Sequence, residues 1–433
     1  MKHKSSFAMS RRQFLGAAGA ATASFFLPTT TRAQAGKTLN VISPSGGLTA
    51  GLAAASSEFE KKFAVKVTVT PAPWESMHEK LMAEFFAKVG QFDVIALHHS
   101  WRGFSAQFLE DLSPYMAKSG PKLDEFVGKT YLMSNWRGRQ VGIPVRWGSL
   151  SLLYYRKDLY QKARLQPPVT WEDFMGAAKA LTNPAEQLYG TTLLLGGGAP
   201  TVEEFFVWLV RRNGKILVDD GRSMNPYEGD HGKIVAGVLA DWKMLYDNGW
   251  IPKDSMTWSV WEGLAHFQKG SLGMTNMYSA RVALVEDPQK SAVAGKVGYA
   301  ITPGVKGAPL TGGGWSLSIP NYIGNEQKEL AYQYLKFLTN HDMQMLMALK
   351  HANGPTRKDV LLSSEYRKLS PAVEIEAKSA EELYIPPETS VPQFPEIGLA
   401  ISDAARAVVL GKLKPEDGSR KIFTDIRRIM GFF

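Results

Sequence analysis

The sequence predicts an α/β protein of two lobes, each a mostly parallel sheet flanked by helices, and three observations carry that reading. The chain has 433 residues, more than the ~250–300 at which a single core stops growing. Short apolar strands alternate with segments of helical periodicity through its first third. A passage near residue 150 then leads from one such run into another, as a strand would if it left one sheet and entered a second.

At the N-terminus, Ser10-Arg11-Arg12-Gln13-Phe14-Leu15 precedes a small-residue apolar run from Phe14 to Leu27 and then Ala33-Gln34-Ala35. A basic start, a weak apolar segment and an A-x-A exit make an export signal, and the paired arginines point to the twin-arginine route. The run is shorter than the roughly 20 apolar residues a membrane span needs. Cleavage after Ala35 is expected. "TLNVIS" then reads as a buried strand, and Leu48, Leu52, Ala55, Phe59 and Phe63 recur at helical spacing. Val65, Val67 and Val69 alternate as a strand; a helix spans Ser76 to Val89, and "FDVIAL" is a further short strand. This βαβαβ rhythm calls for parallel pairing with helices on both faces.

Gly142 to Val145 ends one lobe's sheet, and Ser149 to Tyr155 is apolar on both faces, which suits a hinge crossing. Pro167 and Pro168 then interrupt regular structure. Thr170 caps a new helix with Asp173 in the capping-box position, and Trp171, Phe174, Ala178 and Leu181 mark its buried face. A second crossing is expected around "VGYAITPGVKGAPLTGGGWSLSIP", then one helix from Asn325 to Lys350, a break at "NGPTRKDVL" and a helical region from Pro395 to the end.

Composition narrows the function. The formal net charge is +9, but residues 1–35 hold five Lys and Arg and no acid, so the processed chain carries only +4. Most of the basicity belongs to the signal, and charge gives no case for nucleic-acid binding. Cysteine is absent, which excludes a disulfide framework, a thiolate nucleophile and a cysteine-linked lipid anchor. A cysteine-free chain can also fold before export, in keeping with the twin-arginine signal. The expected location is the periplasm of a Gram-negative bacterium.

Catalytic motifs are mostly missing. No G-x-x-x-x-G-K-[ST], H-E-x-x-H or G-x-S-x-G occurs. His98 and His99 are adjacent, and neighbours on a strand point to opposite faces, so they are not expected to share a metal. No metal and no cofactor is expected. Carboxylates beside aromatics, Trp74-Glu75 and Trp261-Glu262, leave open an exported carbohydrate-active enzyme, which would need two carboxyls facing each other. Aromatics recur in loops instead: Trp74, Trp101, Trp147, Trp258, Trp261, Tyr278 and Trp315. An aromatic face stacks on the C–H surface of a sugar ring, while a few placed polar groups meet its hydroxyls. For any one of them core packing is an equal alternative. Several come directly after strands at the carboxyl edge, where open α/β sheets bind ligands.

In order along the chain, "FDVIAL", "GIPVRWGSLSLLYYRKDLYQKARLQPPVTWEDFMGAAKAL", "FQKGSLGMTNMYSA", "GGGWSLSIP" and "NGPTRKDVL" resemble the extracellular solute-binding proteins of ABC transporters, sugar-binding type, related to maltose-binding protein. The resemblance runs from about Thr38 to Phe423. It implies the periplasmic binding protein fold, with residues 36–147 and 298–350 in the N-terminal lobe and 148–297 and 351–433 in the C-terminal lobe, closing on a solute in the cleft. It implies a monomer that hands a small carbohydrate or polyol to inner-membrane permease subunits. By position, the cleft would receive Ser43, Ser45, Trp74, His98, His99, Trp101, Arg146, Trp147, Gly198, Thr201, Tyr278, Arg281, Gly313, Gly314, Trp315 and Arg357. The histidine pair departs from the family pattern, and Arg146, Arg281 and Arg357 could meet an anionic group on the sugar. A polyamine or an amino-acid derivative is the alternative ligand.

Overall fold

The computed structural model describes residues 37–432; the export signal expected at 1–35 lies outside them. Strands β1 (Thr38–Pro44), β2 (Lys66–Ala72) and β3 (Val94–His98) pair in parallel with β1 in the centre. Helices α1 (Gly47–Phe63) and α2 (Trp74–Ala87) make the crossovers between them. All five residues of β3 are buried, which is why "FDVIAL" carries no polar alternation.

Strand β4 (Ile143–Ser149) belongs to this first sheet, and β5 (Leu152–Arg156) to a second, so the chain changes sheet across Leu150 and Ser151. The expected hinge strand is therefore two strands with a two-residue step. The second sheet, β6 (Met274–Asn276), β5 and β7 (Val297–Ile301), is antiparallel where the sequence reading expects parallel pairing. The return crossing lies between β7 and β8 (Leu310–Ser318), later than residue 298. Arg211 pins this crossing by donating to the carbonyls of Thr302 and Ala308. In the first sheet β8 runs antiparallel to both β3 and β4.

Helix α3 (Trp171–Leu181) starts at the anticipated capping box: Thr170 Oγ1 accepts from Asp173 N at 3.1 Å, and Asp173 accepts from Thr170 N at 2.9 Å. Helices α4 (Ala199–Val210), α5 (Asp230–Asp247) and α6 (Val260–Lys269) fill out the second lobe. The single helix expected from Asn325 to Lys350 is two, α7 (Asn325–Leu338) and α8 (His341–His351), because Asn340 caps the second by accepting from Met343 N at 2.9 Å. The last helices are α9 (Val373–Glu381), α10 (Phe394–Val409) and α11 (Pro415–Met430).

One core draws on residues 39–145 and 315–347, and another on 153–274 and 391–426. A third packs Val127, Met133 and Trp147 against Val360, Tyr366, Val373 and Leu383. The segment after α8, expected in the C-terminal lobe, thus forms a joint beside the crossing and adds β9 (Leu383–Tyr384) to the first sheet. A further passage between lobes occurs near residue 390. There Trp136 Nε1 and Arg102 of the first lobe donate to Ser390, while Glu388 accepts from Leu217 N of the second at 2.8 Å.

Candidate functional site

Sheet register creates the first half of the site. Trp315 on β8 lies opposite His98 on β3 and opposite Arg146 on β4, and directly opposed residues share a face. His98, Trp315 and Arg146 therefore form a row across three strands. Pro73 turns the chain out of β2 so that Trp74 opens α2, and β3 gives way to a tight turn over His99–Trp101. Trp74 and Trp101 stack with centroids 4.7 Å apart at 21°. Trp315 stands edge-on to both at 5.7 Å, and His98 meets Trp74 and Trp315 at 4.9 Å each.

The histidines do not point apart. The turn begins at His99, so strand alternation ends at His98, and the two rings lie 4.3 Å apart. Ser100 Oγ bonds His98 Nδ1 at 2.7 Å, and Gly314 N donates to His99 Nδ1 at 3.3 Å. Burial holds His98 well below the usual imidazole range, with His99 and Arg146 adding to it. His99 is lowered to about 3, by burial and then by Arg102. Both rings are neutral at physiological pH. Among the described residues no group of three or more His, Cys, Asp or Glu side chains is placed to hold a metal, and no helix is long and apolar enough to cross a membrane.

The second half comes from the other lobe. Glu203 on α4 accepts from the Tyr278 hydroxyl at 3.2 Å and reaches to 3.9 Å from His98 Nε2, so the lobes meet here. Tyr278 follows β6 and is fixed by Tyr154, whose hydroxyl donates to its carbonyl at 2.7 Å. Burial raises the Glu203 carboxyl to about 7, against the opposing effects of Tyr278 and Arg281. Arg281 lies over the Trp261 ring at 5.1 Å and the Tyr278 ring at 5.6 Å. Arg281, Glu203, Glu204, Asn276 and Tyr278 are among the residues that line one small cavity. Glu204 accepts from Trp208 Nε1 at 2.8 Å, and burial raises it too to about 7.

Of the predicted residues, the structure brings together Trp74, His98, His99, Trp101, Arg146, Tyr278, Arg281 and Trp315. Gly313 and Gly314 lie beneath them as close-approach positions: a Cβ on Gly313 would stand 2.2 Å from the His99 ring, and one on Gly314 2.0 Å from the Arg146 carbonyl oxygen. Ser43 is buried at the end of β1 with its hydroxyl unpartnered, and Ser45 is exposed. Thr201 ties down the glycine turn, donating to Leu194 O at 2.9 Å and accepting from Gly197 N at 3.1 Å, while Gly198 takes a left-handed φ of 62° before α4.

Two assignments are corrected. Trp147 comes next to Arg146 on a strand and so faces the opposite way, into the joint's core, 1 % exposed. Arg357 is consumed by ion pairs with Glu125 at 2.6 Å and Asp359 at 2.9 Å. Sequence reading missed Glu203 and Glu204 and did not assign Trp261. The signal was available in "TVEEFFVWLV": two acids inside an otherwise apolar helix must be buried, and buried acids need a reason.

A family model described as bacterial extracellular solute-binding protein matches residues 54–372. Among curated proteins, a "Probable amino-acid ABC transporter periplasmic-binding protein" of Sinorhizobium fredii is 21% identical over 348 residues, 78% of this chain and 77% of that protein. Among solved structures, an ABC transporter solute-binding protein of Agrobacterium radiobacter K84 in complex with ribitol superposes with a TM-score of 0.81 at 24% identity, covering 91% of this chain and 98% of that one. Maltose-bound MalE3 of T. maritima gives 0.78 at 26%, covering 90% and 99%. These comparisons agree with a fold of two lobes, and the chain belongs to the bacterial extracellular solute-binding protein family.

Proposed function

We propose that this protein captures a small carbohydrate or polyol between its lobes and delivers it to an inner-membrane ABC permease. The observation that carries this reading is the convergence of Trp74, Trp101 and Trp315 from one lobe with Glu203, Tyr278 and Arg281 from the other. Aromatic faces meet the C–H surfaces of a polyhydroxylated solute, and acid, phenol and guanidinium meet its hydroxyls. The ligands of the two structural relatives, ribitol and maltose, support the class. Because each lobe supplies part of the site, bound solute favours the closed arrangement by its differential affinity for it. The twin-arginine signal, the periplasmic location and the monomeric state belong to the same proposal. Binding and release suffice for this role, so the reading includes no bond-breaking step.

A thermal-shift screen against neutral sugars, polyols, sugar acids, amino acids and polyamines tests it. A ligand at 100 times its Kd stabilises the native state by about 2.7 kcal/mol. The expected result is a shift with one polyhydroxylated class, at least ~10-fold weaker binding in Trp315→Ala, and no product on prolonged incubation. A shift with amino acids alone would replace the reading with the one the Sinorhizobium relative suggests, and turnover of an oligosaccharide would make the protein an enzyme.

A further inference from the structure

We propose that the solute is a polyhydroxy acid whose carboxylate is held by Arg146 and Arg281. The inference rests on the carbohydrate reading above and narrows it to an anionic member of that class.

The remaining buried and half-buried arginines of the lobes set the comparison. Arg102 donates to Leu132 O at 2.6 Å and to Ser390. Arg156 pairs with Asp158, Arg211 donates to Thr302 and Ala308, and Arg212 pairs with Asp241. Each guanidinium has a carboxylate or carbonyl, as burial of a charge requires. Arg281, which is buried, departs from this rule, and Arg146, which is half-buried, is likewise unpaired. Among the described residues neither makes an ion pair or a side-chain hydrogen bond, and Arg281 Nε is buried without an acceptor. What Arg281 does contact is aromatic faces, which hold a cation without using its N–H donors.

Arg146 stands opposite Trp315 in the row that reaches the seam, and its guanidinium is lowered to about 10, by burial and then by Arg281. The acid beside them, Glu203, has its Oε1 taken by the Tyr278 hydroxyl and makes no ion pair with either guanidinium, while still attracting Arg281. His98 is neutral and adds no charge. Glu203 and Glu204 line the same cavity as Arg281, but burial raises each carboxyl to about 7, so near neutral pH their charge only partly offsets the two guanidiniums. A carboxylate offers two oxygens to two planar donor forks in charge-assisted bonds. A neutral hydroxyl would leave one cation unpaired, so the site discriminates between the two. Arg146 belongs to the first sheet and Arg281 to the second lobe, so one carboxylate bound by both also bridges the hinge.

Isothermal titration of the purified protein tests this with D-gluconate, D-glucuronate and the C5 aldonates against D-glucitol, D-glucose and ribitol, with L-glutamate as a non-sugar carboxylate. The expected result is that one sugar acid binds at least tenfold more tightly than its neutral counterpart, and that Arg281→Gln collapses this ratio towards one. Arg281→Lys, which keeps the charge and loses the fork, should recover only part of it, and Arg146→Gln serves as a second variant should the first not fold. Equal or tighter binding of the neutral compounds by the unmodified protein overturns the carboxylate and leaves the carbohydrate reading standing. Binding of L-glutamate alone, or of none of these compounds, overturns both.

Discussion

Arg146 and Trp147 are consecutive, and a strand's alternation gives them opposite fates: one faces the seam between lobes, the other the core of the joint. Truncation should separate them. Trp147→Ala should cost about 3–5 kcal/mol in urea denaturation, whereas Arg146→Ala should act mainly on ligand affinity. A second residue-scale prediction concerns Glu376 on α9, which accepts from Ser370 Oγ at 2.7 Å and from the Tyr366 hydroxyl at 3.1 Å. Burial raises its carboxyl from 4.5 to about 7. Between those values the folded protein binds the proton and the unfolded chain does not, so this residue's contribution to stability falls as pH rises from about 4.5 to about 7 and is level above. The melting temperature of Glu376→Gln relative to the parent should therefore climb between pH 5 and pH 8. A flat difference would mean that Glu376 is not held protonated. The sequence named the aromatics and arginines of the seam because their types are conspicuous, although Trp315 and Arg146 lie in strands and Trp74 opens a helix. It hid Glu203, whose role depends on Tyr278, 75 residues along the chain.

At the scale of the element, β8 shows what its glycines are for. Gly312 packs under the Trp147 ring, Gly313 under His99 and Gly314 against the Arg146 carbonyl, so the strand passes between two layers that leave no room for a Cβ. The stretch "TGGGW" is strand throughout, and its close neighbours are protein. Gly313→Ala should destabilise by about 1–3 kcal/mol, and Gly314→Ala by more, since the obstacle there is backbone and cannot rotate away. Urea titrations of the two variants would rank them, and the reverse order would show that the His99 ring is the more rigid neighbour. The capping box of α3 was legible because both partners lie within one turn. The break at Asn340 was missed because helical periodicity on its two sides conceals a cap; Asn340→Ala should cost about 1 kcal/mol.

On the scale of the whole molecule, the chain passes between sheets at Leu150–Ser151 and between β7 and β8, and again between lobes near Ser390, and the proposed capture between lobes predicts motion about these passages. Small-angle scattering should therefore show a smaller radius of gyration with bound solute, and Glu203→Ala should weaken the change, because Glu203 is where the lobes meet. An unchanged radius at saturating solute would count against hinge closure. The amino-acid order alone settled what short-range physics encodes: the βαβ rhythm of the first lobe, the capped helix after the crossing and the absence of cysteine chemistry. Tertiary packing settled which faces those residues met. It set the antiparallel second sheet, the joint built from the segment after α8, the pairing that removes Arg357 from the cleft and the unpaired state of Arg146 and Arg281. The physical reason is that propensity and periodicity act over a few residues, while register, burial and the partner of a charge are fixed by segments hundreds of residues apart.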